Sequence, residues 1–384
     1  MQRVYMDYSA TTPVAPEVIA IMTEVMSANW GNPSSQHFYG NEARQVLNRS
    51  RKQVAELIGA GDHEIVFTSG GTEADNLAII GTALARQNKG RHLITSAVEH
   101  HAVLHAFHYL ERNGFEVTLL PVDAYGQVSV EQFKQAVRKD TILISVMHAN
   151  NEVGSLQPIA EIGELARESG IVFHSDAIQT VGRMPVNVDE LKVDLLSLSA
   201  HKFYGPKGIG ALYVRPGLSL NPLMLGGGQE KQMRSGTENL PGIAGLGLAA
   251  QMAREEMPIR VERMQQLAEH LILRIVNEIP RAYITGHPRL RIPGHTSFVF
   301  GSVDGTALLT FLDEAGIAAS GAAACSANSF AVSHVLKAMG MKDELAHSAL
   351  RLTLGKDSTT EEVDRLLEIL PGMIEQQRML WSLQ

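Results

Sequence analysis

Ile171-Val-Phe-His174-Ser-Asp176-Ala-Ile-Gln179 is followed, 26 residues after its aspartate, by Lys202 in Leu198-Ser199-Ala-His201-Lys202-Phe-Tyr-Gly205-Pro-Lys-Gly208. The first stretch starts as a short β-branched and apolar run and passes into polar residues, as a buried strand does when its last side chains enter a turn. The same pattern recurs on both sides of the pair. Candidate strands are Glu64-Ile-Val-Phe67, His92-Leu-Ile-Thr95, Glu116-Val-Thr-Leu-Leu120, Ile142-Leu-Ile-Ser-Val146, Ile171-Val-Phe-His174, Leu195-Leu-Ser197 and Gly210-Ala-Leu-Tyr-Val214, separated by longer amphipathic stretches. This alternation predicts an α/β fold, a mainly parallel sheet covered by helices. In such sheets ligands bind at the carboxyl ends of the strands, so residues that follow separate strands can converge on one pocket.

The chain has 384 residues, 45% hydrophobic and 19% charged, enough to bury a large core and to form two domains. A helical pattern over residues 241–279 is interrupted near Pro258, and the alternation then restarts on a smaller scale. The expected division is a large domain over residues 13–258 and a smaller α+β domain made of residues 1–12 and 259–384. The formal charge is −8 and the basic residues are scattered, which argues against nucleic acid or an anionic membrane as partner. The sequence lacks an apolar signal region at Met1 and any apolar run of the ~20 residues that a membrane helix needs, so the expected location is cytoplasmic. The single cysteine, Cys325, has no internal partner and is either an inert buried thiol or a reactive one.

The chemistry-bearing residues follow candidate strands. Lys202, flanked by Ser199, His201 and glycines, can form a Schiff base with an aldehyde. Asp176 can keep a pyridinium nitrogen protonated, so that the ring accepts electrons; together the two suit pyridoxal phosphate. Thr68-Ser-Gly70-Gly71-Thr72-Glu73 opens a helix whose first N–H groups, with the Thr72 hydroxyl, either cradle a phosphate or form a plain N-cap. Ser199 and His201 are placed to add donors to the same phosphate. His100, in Glu99-His100-His101, sits between a strand and a helix, where an imidazole can stack on a ring and move protons. His101 and His105 stand at i, i+4, yet no carboxylate or cysteine nearby completes a usual metal set, and no metal is expected. Asn150-Asn151-Glu152-Val-Gly154 can present an amide to a ring hydroxyl or a carboxylate, or be an asparagine-rich turn.

In combination these stretches resemble the pyridoxal-phosphate cysteine desulfurases, a family of the aminotransferase class V group that serves nitrogen fixation and iron–sulfur cluster assembly. The resemblance runs through Tyr5-Met-Asp7-Tyr-Ser-Ala-Thr-Thr-Pro13, Gly31-Asn32-Pro-Ser-Ser35, Gly226-Gly-Gly-Gln-Glu230, Arg234-Ser-Gly-Thr237 and Ala349-Leu-Arg351-Leu-Thr-Leu-Gly355, besides the motifs above. It implies an aspartate-aminotransferase-like transferase fold (fold type I) with pyridoxal 5′-phosphate as cofactor. It also implies roles: Lys202 as Schiff-base lysine, Asp176 on the pyridine nitrogen, Gln179 on the ring hydroxyl, His100 stacked on the ring, and Gly71, Thr72, Ser199 and His201 at the phosphate. The counterpart of Thr237 in the family reaches the phosphate of the neighbouring subunit, which implies a homodimer. Asn151 and Arg351, with Asn32 beside them, would hold the carboxylate of L-cysteine, a task suited to a guanidinium fork.

Cys325 lies in Ala319-Ser-Gly321-Ala-Ala-Ala-Cys325-Ser-Ala-Asn-Ser329, a run of small residues followed by a helix expected near Val332. The resemblance implies that this cysteine takes the substrate sulfur as a persulfide, leaves alanine and passes the sulfur to an acceptor protein. Three residues separate Ser-Gly from Cys325, where the family usually has two, so the thiol is expected to hang differently. The chain ends soon after Trp381, without the longer tail through which housekeeping members grip a scaffold. A selenocysteine lyase would share nearly every motif, and a class V aminotransferase would share Lys202 without needing Cys325. A structural partner in a sulfur relay would bind no cofactor.

Overall fold

The computed structural model describes residues 3–321 and 332–381. A two-residue strand β1 (Val4–Tyr5) precedes seven strands that form one sheet: β2 (Ile65–Thr68), β3 (His92–Ser96), β4 (Glu116–Leu120), β5 (Thr141–Ser145), β6 (Val172–Asp176), β7 (Leu195–Ser199) and β8 (Gly210–Val214). Their order is β2-β8-β7-β6-β5-β3-β4. β8 is antiparallel to both neighbours and the remaining pairs are parallel. Every residue of β2, β3 and β5 to β8 is buried. That explains why these strands read as continuous apolar runs: helices cover both faces. The edge strand β4 has one buried residue in five and carries Glu116 and Thr118 outward. All seven strands expected from the sequence are present, two with the expected bounds and five with bounds shifted by one or two residues.

Because β8 alone is reversed, the carboxyl ends of β2, β3, β5, β6 and β7 open on the same edge of the sheet. Each leads into one of the motifs: Thr68 into the Gly71–Arg86 helix, Ser96 toward His100, Ser145 toward Asn151, Asp176 into its own turn, and Ser199 into the 3-10 turn Ala200–Lys202. Five separate stretches of chain thereby meet at one rim.

The remaining strands are β9 (Ala282–Ile284), β10 (His295–Phe300), β11 (Ile317–Ala318) and β12 (Leu350–Thr353). β12, β10 and β9 form an antiparallel sheet, and β1 pairs in parallel with β11. Val4 and Met6 join a core with Leu271, Phe298, Leu312, Leu352 and Leu370, separate from the core of the seven-stranded sheet. The N-terminal segment therefore packs with the C-terminal part of the chain.

The helix Leu240–Glu278 runs unbroken across Pro258, where the sequence suggested an interruption. Proline forfeits only the bond to the carbonyl four residues back, while the flanking turns are held by burial on both sides. Leu246, Ala250 and Ala253 enter the first core, and Leu267, Leu271 and Ile275 enter the second. One continuous rod links the two.

Candidate active site

A cavity of about 320 Å³ opens at the sheet rim, lined by Gly71, Thr72, His100, Asn151, Asp176, Gln179, Ser199, His201, Lys202 and Arg351, together with Ser9, Ala10, Met147 and Ile178. Ten of the residues singled out in the sequence are thus brought together. Asn32 and Thr237 are not among the lining residues; both lie on exposed segments, where Asn32 Oδ1 accepts from Ser34 N at 2.9 Å. Cys325 lies outside the described residues. The helix after it starts at His334, two residues beyond the expected position.

Lys202 Nζ donates to the carbonyls of Ser9 (2.6 Å) and Ala10 (2.8 Å), so the N-terminal segment supplies the floor under the amine. Asp176, the last residue of β6, is 5% exposed, and its Oδ1 accepts from Ile178 N at 2.9 Å. Burial pushes its carboxyl up to about 6, against the Ile178 N–H and the Lys202 charge, which favour the anion. It is a carboxyl in a largely water-free place beside the Lys202 amine, whose charge favours its anion. That is the group needed to hold a proton on a pyridine nitrogen.

His100 caps the helix His101–Arg112, its Nδ1 accepting from Ala102 N at 3.1 Å. A nitrogen that accepts has no proton, so the neutral ring carries its hydrogen on Nε2. Burial, then the Lys202 charge and the neighbouring histidines, lower its pKa to about 4. His100 therefore presents a neutral ring at pH 7. His201 is likewise lowered to about 4, mainly by burial, and its Nδ1 lies 3.1 Å from Thr11 Oγ1.

At the start of the Gly71–Arg86 helix, a Cβ on Gly71 would sit 2.1 Å from Ile178 Cδ1. A side chain there would displace Ile178, in the turn that follows Asp176, so glycine lets the helix start and that turn pack closely. First-turn N–H groups have no preceding helix carbonyl to bond and attract anions. With Thr72 and Ser199 hydroxyls on the same wall, this end of the cavity suits a phosphate.

Arg351 is 2% exposed; its Nη1 donates to the Asn151 carbonyl (2.9 Å) and its Nη2 to Asp7 Oδ1 (2.8 Å), while buried Nε has no partner among the described residues. Asp7 Oδ2 accepts from Ser320 Oγ at 2.8 Å, so one carboxylate sets both the arginine and the chain just before residues 322–331. After that stretch, Ser333 Oγ donates to Glu152 and His334 Nε2 lies 3.0 Å from the Glu99 carbonyl. Asp7 was not singled out as a site residue, and only its place in the quoted Tyr5-Met-Asp7 stretch hinted at it. Glu99 was also missed: buried, accepting from Ser96 Oγ (2.5 Å) and Met147 N (3.0 Å), it is raised to about 8 chiefly by desolvation.

The amine, buried carboxylate, hydroxyl and helix-start donors fit pyridoxal 5′-phosphate in charge and in size. Among the described residues, no group of three or more His, Cys, Asp or Glu is arranged to hold a metal ion. The family profile of Aminotransferase class-V matches residues 4–366. This chain belongs to the class V aminotransferases. Within them it is similar to proteins named Cysteine desulfurase IscS, 49% identical to that of Methanosarcina thermophila over 98% of this chain and 93% of the relative, and 49% identical to that of Dictyoglomus turgidum over 99% and 96%. A solved NifS-like protein superposes with a TM-score of 0.91 at 37% identity, over 98% of this chain and all of the other. A second NifS-like protein, from Rickettsia africae, gives 0.88 at 30% identity over 97% and all, respectively. This class V enzyme therefore has the transferase fold and the pyridoxal 5′-phosphate dependence of the desulfurases.

Proposed function

We propose that this enzyme converts L-cysteine to L-alanine and passes the sulfur through Cys325 to an acceptor protein, in sulfur delivery such as iron–sulfur cluster assembly. The observation that carries this reading is the convergence of Lys202, Asp176 and Arg351 on one cavity in a chain of this family. Bound in that cavity, pyridoxal 5′-phosphate supplies a sink for the electrons left when the substrate Cα loses its proton. The chain's residues do the rest. Asp176 keeps a negative charge beneath the ring nitrogen. Lys202 Nζ, once relieved of its link to the cofactor, takes the Cα proton. Arg351, its plane fixed by Asp7 and the Asn151 carbonyl, holds the carboxylate with the help of the Asn151 side chain.

His100 would lie against the cofactor ring and offer Nε2–H as a donor; its lowered pKa makes it a weak base at pH 7. The Cys325 thiolate attacks the substrate sulfur, the C–S bond breaks and its electrons pass into the alanine precursor. Gln179 serves the cofactor ring hydroxyl, and Gly71, Thr72, Ser199 and His201 its phosphate. The finer domain reading keeps residues 13–258 as the cofactor-binding part and residues 1–12 with 259–384 as the small part.

We also infer a cytoplasmic homodimer whose phosphate sites are shared, with Thr237 reaching the partner's phosphate and Asn32 kept as a substrate-binding residue. Trp30 (65% exposed), Phe38 and Leu225 (84% exposed) leave apolar surface near those two residues in sequence, as a pairing face would. Among the described residues, no helix is long and apolar enough to cross a membrane. The activity is tested by incubating the cofactor-loaded protein with L-cysteine and a thiol reductant. Alanine and sulfide are expected in equal amounts; pyruvate with ammonia, or an amino-group exchange with no sulfide, would replace this reading by a lyase or an aminotransferase.

A further inference from the structure

A second and much smaller cavity of about 10 Å³ shares Lys202 with the first and is lined besides by Arg183, Arg260 and Lys356 and by Tyr8 and Tyr204, with no acid among the described residues on its wall. Of the four cationic side chains around it, Arg260 is paired with Glu256 and Lys356 is only half-buried, whereas Arg183 is a buried cation bonded to no acid among the described residues, and uncompensated buried charge is costly. Arg183 shows it most clearly. It is 5% exposed; its Nη1 donates only to neutral oxygens, Ser9 Oγ at 3.1 Å and Gln179 Oε1 at 3.3 Å, and its buried Nη2 has no protein partner. Arg260, 6% exposed, spends Nε and Nη2 on Glu256, while its buried Nη1 is also without a protein partner. The Tyr204 ring has the Arg260 guanidinium 5.1 Å and the Lys356 ammonium 5.0 Å from its centre. Tyr204 Oη accepts from Lys356 N at 2.6 Å, which leaves its own O–H to donate.

The wall therefore offers two spare guanidinium nitrogens and a hydroxyl, all donors, with a surplus of positive charge. Volume decides the size of the occupant: ~10–15 Å³ is what one water-sized species requires. Phosphate and sulfate are too large; the space admits one small species, and the all-donor wall beside the Arg183 charge favours a monatomic anion over a water. We propose that this cavity is a halide site, occupied by chloride, in which Arg183 and Arg260 are the ligating cations. The site is separate from the substrate carboxylate anchor and does not depend on the proposed reaction. The bound halide compensates the buried Arg183 guanidinium and accepts from the spare Nη1 of Arg260, whose charge Glu256 already balances, where the turn after β6, the helix Leu240–Glu278 and the Gly355 turn after β12 meet, and so joins the two cores. Burial lowers the Arg183 pKa only to about 10, so the cation that needs compensating is present throughout the neutral range.

Crystals of the pyridoxal-phosphate-loaded enzyme grown in sodium bromide test this, with bromide located by its anomalous scattering. A peak in this cavity within hydrogen-bonding reach of Arg183 is the expected result. In solution, chloride should raise the thermal midpoint over gluconate at matched ionic strength by about 2 °C or more. The increment should disappear in Arg183→Met; if that variant does not fold, Arg260→Gln serves the same comparison. A water with no anomalous signal, or an empty cavity, overturns the proposal. Binding at crystal concentration only, with identical midpoints in chloride and gluconate, overturns it as well.

Discussion

Lys202 and Asp176 end adjacent parallel segments of the sheet, one at the turn after β7 and the other closing β6. The amine rests on two backbone carbonyls and the carboxylate is anchored by one N–H, so both are held at the cavity; in forming a Schiff base the amine gives up at least one of its two carbonyl bonds. Borohydride treatment of the loaded enzyme should fix the cofactor as a secondary amine on the peptide containing Lys202; an adduct on Lys207, seen by mass spectrometry, would reject the assignment. Asp176→Asn keeps the shape and removes the charge. Turnover should fall by about a hundredfold or more while cofactor remains bound, since a preorganised charge at a reacting system is worth that much. Near-normal steady-state rates in that variant would remove the electron-sink argument.

These two residues were legible in the sequence because each belongs to a short motif at a strand end, where local pattern and chemistry coincide. Asp7 was not, since its partner Arg351 lies 344 residues away in the chain and nothing local announces the pair. Glu99 was written next to His100 but reads as an ordinary surface acid until burial is known.

At the scale of elements, the start of the Gly71–Arg86 helix is pressed onto Ile178. Gly71→Ala should force a shift of that helix start or of the turn that carries Asp176, costing about 1–3 kcal/mol as overpacking does. The cofactor should dissociate more readily, because the phosphate wall and the Asp176 turn move together. Equilibrium dialysis and urea unfolding of the same sample would check both halves; unchanged values would mean that the contact is slack. The strands of the large sheet were readable as apolar runs because they are covered on both faces. β1 and β11 are two-residue strands that lack a period to detect. Pro258 misled for a related reason: local propensity marks a break, whereas tertiary burial on both sides carries the helix through.

For the molecule as a whole, buried ionisable groups shape the pH dependence of stability. His100, His148 and His201 are lowered to about 4, and His174 to about 3, by burial first of all. The folded chain refuses protons that the unfolded chain takes up below about 6.5, so these groups reduce stability as the pH falls through that range. Glu99 and Glu152 act in the opposite sense, raised by burial to about 8 and about 7. The folded chain keeps their protons where the unfolded chain has lost them. Their contribution is full below about 4.5 and is lost as the pH rises through 7 to 8. Stability should therefore decline between pH 6.5 and 9, where the histidines no longer contribute. Glu99→Gln, which keeps the acceptor for Ser96 and Met147, should flatten that decline in thermal melts; an unchanged slope would mean that Glu99 is already ionised at neutral pH.

The most direct measurement follows the sulfur itself. Cofactor-loaded enzyme is mixed with L-cysteine in the absence of reductant, quenched early, and analysed for alanine and for the mass of the peptide containing Cys325. One alanine per active site and the added mass of one sulfur on Cys325 are expected, with neither sulfide nor a sulfur adduct formed by Cys325→Ser. Sulfide release from Cys325→Ser at the wild-type rate, or alanine without any sulfur on the peptide, would contradict sulfur transfer through Cys325.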